Sequence, residues 1–162
     1  LTIIIPRHIN RVNVIIKQMD KLGLTTHTYQ SDKKLNKDID ILIVDTYGKT
    51  KSFYYYCKNI FLGGSIVNHG GQNPLEAARY GCNIFHGPNI YNFKEIYGFL
   101  KKNRISKKIS SEKKMINSLA KLFSKKSKSK KIKKKLSLIG QKILNSTYKE
   151  ISYTLYHEIK KT

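Results

Sequence analysis

Residues 60–93 read IFLGGSIVNHGGQNPLEAARYGCNIFHGPNIYNF and decide the fold of this chain. Within these 34 residues the pattern predicts an apolar strand ending in glycines, a second glycine pair, a capped helix, another apolar strand and a Gly-Pro loop. Strands that alternate with helices through glycine-rich connections are typical of α/β folds that bind nucleotides. We therefore expect an α/β fold with a Rossmann-like, doubly wound parallel sheet.

The helix in this segment is predicted to begin at the motif NPLE, residues 73–76. Asn is a strong N-cap, Pro suits the first helical position, and a carboxylate in the first turn favours the positive helix end. Glycine pairs at residues 63–64 and 70–71 lie ahead of this cap, where bare backbone can approach a phosphate closely. The alternative is that the glycines only form turns and that Glu76 only completes a capping box.

Apolar periodicity predicts alternating strands and helices along the rest of the chain. Near-continuous apolar runs, typical of parallel strands covered on both faces, occur at residues 1–5, 39–44, 60–62 and 83–85, and residues 25–29 are predicted to form a short β-branched strand. Helical spacing and capping signals predict helices at residues 11–22, 52–58, 74–80 and 92–102. A polar connection is expected at residues 31–38, and two or three basic helices at residues 111–162.

Composition excludes several classes of protein. A 162-residue chain that is 40% hydrophobic can form one folded domain and is not a wholly disordered polymer. Cys57 and Cys82 have no CxxC spacing, which argues against zinc and against a disulfide framework and favours reduced thiols in a cytoplasmic setting. No His, Asp or Glu cluster has metal-ligand spacing, so we expect neither a metal nor a cofactor.

We expect no targeting signal at the beginning of this sequence. No apolar run reaches the roughly 20 residues that a membrane span needs, and no basic leader precedes the first predicted strand. A chain that starts without Met, almost inside a strand, suggests a sequence that begins in the middle of a protein.

The net charge of +22 is concentrated in the C-terminal third. Residues 1–100 hold 12 Lys and Arg against 7 Asp and Glu, whereas residues 101–162 hold 20 against 3. The densest run, KKSKSKKIKKK at residues 125–135, has no aromatic interleaving for base stacking and is expected to form a solvated loop or a frayed helix. Attraction to an anionic membrane surface, a solvated surface produced by codon bias, and nucleic-acid binding remain open, with nucleic acid the least favoured.

Polar residues follow most of the predicted strands. In a doubly wound sheet, ligands bind beyond the carboxyl ends of the strands. Arg7 is placed to fork onto a phosphate, and Glu76 to accept from ribose hydroxyls. The alternatives are a surface ion pair of Arg7 with Asp45, a packed loop position for His8, and structural roles for His69 and His86. The segments concerned are residues 7–8, 46–49, 63–65, 73–76 and 87–92.

Five motifs of this chain resemble, in the same order, the 3-deoxy-D-manno-octulosonic acid (Kdo) transferases of lipopolysaccharide synthesis. The resemblance covers residues 1–100 strongly and the remainder weakly, and it corresponds to the C-terminal half of that family. The motifs are IPRH at residues 5–8, VDTYG at 44–48, FLGGS at 61–65, GGQNPLEAA at 70–78 and GPNIYNF at 87–93.

The resemblance implies the C-terminal domain of a GT-B glycosyltransferase, with CMP-Kdo as the donor. It implies a lipid A precursor as the acceptor, at the cytoplasmic face of the bacterial inner membrane, where the protein would be peripheral. Residues 1–105 would form the nucleotide-sugar-binding domain and residues 106–162 basic helices packing on it. The residues that match positions holding CMP or CMP-Kdo are Pro6, Arg7, Tyr47, Gly48, Lys49, Gly64, Ser65, Asn73, Pro74, Leu75 and Glu76.

The chain also departs from the family pattern. Tyr47-Gly48-Lys49 stands where the family commonly has Met-Gly-Glu, so a hydrogen bond that the acid would accept is in doubt. Gln72 and Asn89 replace histidines but keep polarity.

The resemblance assigns no catalytic residue to this chain. In the family, the catalytic base belongs to an N-terminal domain that also binds the acceptor, so we expect binding of CMP-Kdo without sugar transfer by the chain alone. The alternatives are another GT-B nucleotide-sugar enzyme, which would prefer a uridine nucleotide, and a non-enzymatic module that binds RNA or membranes through residues 101–162.

Overall fold

The structure is a computed structural model of the chain and describes residues 1–30, 38–124 and 128–159, with side chains through residue 157. The chain divides into two compact units, Leu1–Phe53 and Tyr54–Thr162. Both units combine parallel strands with helices, so the predicted α/β class is confirmed. The described strands form two three-stranded parallel sheets, one in each unit.

The first unit holds a sheet with the strand order β1-β3-β2. Its elements are β1 (Thr2–Ile4), a 3-10 turn (Ile9–Arg11), α1 (Val12–Asp20), β2 (Thr26–Thr28), β3 (Ile41–Ile43) and the start of α2 (Thr50–Tyr56). The central strand β3 is fully buried, as its all-apolar sequence requires. One face of α1 packs against it through Val12, Ile15, Ile16 and Met19. All but residue 38 of the predicted connection at 31–38 lies outside the described residues.

The second unit holds a sheet with the order β4-β5-β6. Its elements are β4 (Asn59–Leu62), α3 (Leu75–Arg79), β5 (Asn83–His86), a 3-10 turn (Tyr91–Phe93), α4 (Lys94–Lys102), β6 (Ser106–Lys108), α5 (Glu112–Phe123) and α6 (Ser129–Ile159). A single apolar cluster joins strands and helices through the buried side chains of Leu62, Ala77, Ala78, Cys82, Ile84, Tyr97, Leu100, Ile105 and Ile132.

All five predicted strands and all four helices predicted before residue 103 overlap observed elements. The sequence did not predict β6, which pairs in parallel with β5. Its residues, Ser106, Lys107 and Lys108, contain no apolar side chain, and both lysines are exposed. The strand is therefore stabilised by main-chain hydrogen bonds to β5 and by its apolar neighbour Ile105, signals that periodicity does not detect.

The region after β6 contains two long basic helices among the described residues, within the predicted two or three. Helix α6 packs on α3, where Ile132 is buried and the Ser129 hydroxyl donates to the Tyr80 carbonyl at 3.4 Å. Most of the lysine-rich run is therefore helical, while its residues 125–127 lie outside the described part. The domain boundary predicted between residues 105 and 106 stays a prediction. Strand β6 begins directly after it and pairs with β5.

The outer half of α6 differs from its base. Every side chain from residue 141 to residue 157 is exposed. Leu144, Tyr148, Ile151 and Leu155 recur at intervals of four, three and four residues, so they form an apolar stripe along one side of the helix.

The start of α3 confirms the predicted cap. The Asn73 Oδ1 atom accepts the Leu75 N–H at 3.0 Å, and Pro74 already has helical backbone angles. The Pro74 carbonyl accepts the Ala78 N–H at 3.0 Å, which closes the first turn. The NPLE motif therefore starts the helix as its local chemistry dictates.

A buried serine joins the carboxyl ends of β4 and β5. The Ser65 hydroxyl donates to the Leu62 carbonyl at 2.6 Å and accepts the Gly87 N–H at 2.8 Å. The Ser65 carbonyl also accepts the Asn89 N–H at 2.8 Å. A side chain at residue 87 would collide with that carbonyl, so only glycine fits the close approach.

Cys57 is half-buried and Cys82 is buried, and both lie in the second unit. Cys57 and Cys82 form no disulfide, and burial raises the pKa of the Cys82 thiol to about 11. Among the described helices, none combines the length and the apolar character that crossing a membrane requires.

We expect Gly87→Ala to lower the free energy of unfolding by about 1–3 kcal/mol, because the new methyl group must displace the Ser65 carbonyl. Gly98→Ala is the matched control, since a Cβ there meets nothing within 4 Å and the site is an exposed helix interior. That control should raise stability by about 0.5–1 kcal/mol. Urea unfolding followed by circular dichroism measures both, and equal stabilities would contradict the close packing.

Candidate functional site

The first unit brings two predicted site segments to one edge of its sheet. Strands β1 and β3 are parallel neighbours, with Ile4 opposite Ile43, and the Val44 N–H donates to the Ile4 carbonyl at 2.9 Å. Pro6 and Arg7 follow the carboxyl end of β1, and residues 47–49 follow that of β3. Because neighbouring parallel strands end at the same edge, these segments lie at the ligand-binding edge expected of this fold.

Arg7 is exposed and makes no hydrogen bond or ion pair with any described residue. The alternative pairing with Asp45 is therefore not found; Asp45 instead accepts the Thr46 hydroxyl at 3.2 Å. His8 is exposed as well, so it does not occupy a packed loop position. A guanidinium without a carboxylate partner is suited to bind an anion.

The loop after β3 presents different surfaces at its three predicted positions. Tyr47 is 67% exposed, Gly48 is exposed, and Lys49 is half-buried. The Lys49 carbonyl accepts the Phe53 N–H at 3.3 Å, so the loop leads directly into α2. Tyr47 therefore offers an aromatic surface and Lys49 a cation where the resembled family has Met and Glu.

In the second unit, hydrogen bonds join the loop that follows β4 to the loop that follows β5. The Gly64 carbonyl accepts the Gly71 N–H at 3.0 Å, and the Gly70 carbonyl accepts the Asn92 N–H at 3.3 Å. Gly70 has a left-handed φ of +77°, and a side chain there would collide with Tyr91 and Asn92. Asn89 adds a bond from its Nδ2 to the Ile66 carbonyl at 2.8 Å. The loops therefore form one hydrogen-bonded structure.

Ser65 is completely buried, and both of its hydroxyl bonds are made within the protein. Its hydroxyl therefore shapes the loops. Asn73, Leu75 and Glu76 are exposed at the start of α3, whereas Pro74 is buried. The exposed amide and carboxylate are the polar groups that this segment presents to a ligand.

A buried His–Tyr pair supports these loops. The His86 ring lies 4.4 Å from the Tyr97 ring, centroid to centroid, and its Nδ1 lies 2.7 Å from the Gly87 carbonyl. The Tyr97 hydroxyl donates to the Gln72 carbonyl at 3.0 Å, next to Asn73. Tyr97 thus positions the cap of α3 from 25 residues further along the chain, a long-range contact that no local signal indicated.

Burial controls the protonation of this pair. Burial lowers the pKa of His86 below its ordinary value and raises the pKa of Tyr97 to about 12. A neutral imidazole whose Nδ1–H donates to the Gly87 carbonyl fits the observed distance. These properties support the structural role suggested for His86.

The predicted residues therefore fall into two groups. In the first unit the structure brings together Pro6, Arg7, Tyr47, Gly48 and Lys49; in the second it brings together Gly64, Ser65, Asn73, Pro74, Leu75 and Glu76. Within the described ranges, no cluster of three His, Cys, Asp or Glu side chains could hold a metal ion.

Curated relatives of this chain carry one name, 3-deoxy-D-manno-octulosonic acid transferase. The Aquifex aeolicus protein is 29% identical over 122 residues, which is 75% of this chain and 33% of the relative. The Haemophilus influenzae protein is 30% identical over 100 residues, 62% of this chain and 23% of the relative. The Rickettsia prowazekii protein is 32% identical over 123 residues, 75% of this chain and 26% of the relative. The chain thus spans about a third or less of these relatives.

A solved structure shares the fold. The C-terminal CMP-Kdo binding domain of WaaA from Acinetobacter baumannii matches with a TM-score of 0.76 and 19% identity, over 86% of this chain and 72% of that chain. No protein-family model matches the sequence. The shared fold confirms the Rossmann-like GT-B architecture expected from the sequence. Together with the sequence matches, it shows that the chain belongs to the 3-deoxy-D-manno-octulosonic acid transferase family and corresponds to its C-terminal domain.

Proposed function

We propose that this chain is the donor-binding half of a Kdo transferase of lipopolysaccharide biosynthesis. It binds CMP-Kdo, from which Kdo is transferred to a lipid A precursor when an acceptor-binding domain is present. The observation that carries the proposal is the position of the family motifs, which follow the carboxyl ends of β1, β3 and β4 and begin α3. That is where an α/β fold binds nucleotides.

The first unit supplies a cation for the phosphate. Arg7 can donate two parallel hydrogen bonds to phosphate oxygens, since its guanidinium is exposed and has no described protein partner. Pro6, which has no N–H, fixes the backbone immediately before it. Tyr47, Gly48 and Lys49 follow the neighbouring strand and contribute the second set of contacts to CMP.

The second unit supplies neutral and acidic groups. The exposed Glu76 carboxylate accepts hydrogen bonds from ribose hydroxyls, and Asn73 and Leu75 lie beside it. Gly64 and Ser65 contribute their backbone after β4, because the Ser65 hydroxyl is already occupied. Pro74 is buried and holds the first turn of α3 in place.

These residues account for one of the two requirements of sugar transfer, the stabilisation of the departing CMP. In the transfer, the bond between the Kdo anomeric carbon and the CMP phosphate oxygen breaks, and the acceptor hydroxyl forms the new glycosidic bond as it loses its proton. Arg7 stabilises the negative charge on the departing CMP, which lowers the barrier without a metal. The proton needs a base, and we assign that base to the acceptor-binding domain.

The charge distribution favours a membrane location for this chemistry. The surplus of cations in residues 101–162 attracts anionic lipid, with each basic residue near the surface contributing about 1 kcal/mol. A lipid acceptor places the reaction at the same surface. We therefore propose peripheral association with the cytoplasmic face of the bacterial inner membrane, with nucleic acid not a partner.

Calorimetric titration with CMP tests the donor site. We expect binding selective for CMP over UMP, weakened about tenfold by Arg7→Ala and by Glu76→Ala, because each removes a charge-assisted hydrogen bond. The matched controls are Lys21→Ala at the far end of α1 and Glu150→Ala in α6, which remove exposed charges of the same sign outside the segments assigned to the donor. A preference for UMP would indicate a different nucleotide-sugar enzyme, and equal losses in site and control variants would contradict the assigned residues.

A transferase assay tests whether this chain can transfer Kdo without the acceptor-binding domain. With CMP-Kdo and a lipid A precursor, the chain alone should release no CMP above the uncatalysed rate, because it lacks the proposed base. The full-length Aquifex aeolicus relative, assayed in parallel, serves as the positive control. Measurable sugar transfer by this chain alone would show that the catalytic base lies within it.

A further inference from the structure

A cavity of about 260 Å³ lies in the second unit, beside β5, β6 and α5. Lys58 and Asn83 line it at the starts of β4 and β5, and Arg104 lines it in the turn before β6. These are the amino ends of the strands, whereas the proposed donor residues of this unit follow the carboxyl end of β4. The cavity is therefore separate from the proposed donor site.

Five cationic side chains line the cavity, and its described lining contains no Asp or Glu. Two of the five are held by the protein. The Lys58 ammonium donates to the Tyr55 carbonyl, and the Lys107 ammonium donates to the Ser118 hydroxyl, both at 2.7 Å. The side chains of Arg104, Lys121 and Lys128 form no hydrogen bond or ion pair with a described residue. Mutual repulsion among these cations is relieved when an anion binds between them.

Buried groups form the inner wall of the cavity. Ile84, Phe85 and Ile105 are buried apolar residues of the lining, and Ser118 is also buried. The Ser118 hydroxyl accepts from Lys107 and donates to the Lys114 carbonyl at 2.6 Å, so it anchors Lys107. An apolar wall lowers the local dielectric constant, which strengthens the attraction between the cations and an anion.

Arg104 occupies an unusual backbone position. Its φ is +59°, the left-handed region that glycine normally occupies after a helix. A residue with a Cβ is strained in this conformation, because its Cβ lies close to the neighbouring carbonyl oxygen. The turn thus carries a guanidinium to the cavity at the position where glycine would be the less strained residue.

We propose that this cavity is a binding site for a phosphate group carrying two negative charges, a phosphomonoester or a diphosphate. Its volume lies below the roughly 300–1,000 Å³ of pockets for drug-sized ligands, so it suits a phosphate and not a whole nucleotide sugar. The group comes either from a lipid headgroup or from a soluble phosphate. The site is additional to the proposed function and does not rest on it.

Inorganic pyrophosphate is the probe for the first test, with calorimetry in chloride buffer of matched ionic strength. The variant Arg104→Gln/Lys107→Gln/Lys121→Gln should weaken binding at least about tenfold, because it removes three charges from the lining. The control Lys102→Gln/Lys108→Gln/Lys113→Gln removes three exposed charges that do not line the cavity and should change affinity less than about twofold. Equal losses in the two variants, or no binding by the parent chain, would overturn the site.

Vesicle flotation separates the two sources. Phosphatidylcholine vesicles containing phosphatidic acid present a phosphomonoester, and vesicles containing phosphatidylglycerol at equal surface charge do not. A preference for phosphatidic acid that only the cavity variant loses assigns the site to a lipid headgroup. Pyrophosphate binding without that preference assigns it to a soluble phosphate.

CMP titration of the same cavity variant distinguishes this site from the donor site. Affinity for CMP should stay within about twofold of the parent chain, because none of the three substituted residues belongs to the proposed donor group. A parallel loss of CMP and pyrophosphate binding would show that the cavity is part of the nucleotide site and would overturn the proposal of a separate one.

Discussion

The hydroxyl of Ser65 is the interaction on which the candidate site of the second unit depends. It joins the last residue of β4 to the first residue after β5, at a position that water does not reach. Removing it would leave a buried N–H of Gly87 without a partner, which costs about 1–3 kcal/mol. The Gly64–Gly71 and Gly70–Asn92 hydrogen bonds lie in the loops that the Ser65 side chain joins. The exposed groups of α3 follow directly after these loops, so their position depends on that one side chain.

Local chemistry in the sequence was enough to predict much of this fold. The NPLE cap and the apolar strands depend on neighbouring residues only, and each appears where it was expected. Strand β6 was missed because Ser106, Lys107 and Lys108 gain their strand conformation from pairing with β5. The Tyr97–Gln72 bond was missed for the same reason, since its partners lie far apart in sequence. The sequence pattern was enough to place Arg7 directly after a strand. Only the structure shows that Arg7 forms no ion pair with a described residue.

Charge imbalance connects the surface of this protein to its proposed ligands. With 32 Lys and Arg against 10 Asp and Glu, most cations have no carboxylate to pair with. Folding therefore brings like charges together, and salt or bound anions relieve the repulsion. Phosphate groups of a nucleotide or of a lipid can supply that relief, so anion binding and stability are expected to be linked in this chain.

The exposed outer half of α6 has a consequence for how this helix melts. Its base is held by Ile132 against α3, whereas every side chain from residue 141 to residue 157 is exposed. Helices of about 12–15 residues without tertiary packing are marginal in water. The helix should therefore unwind from its free end toward Gly140 at temperatures well below the cooperative unfolding of the sheet. Far-ultraviolet ellipticity would decline gradually before the main transition, and amide protons near Ile132 would exchange with solvent far more slowly than those near Tyr153.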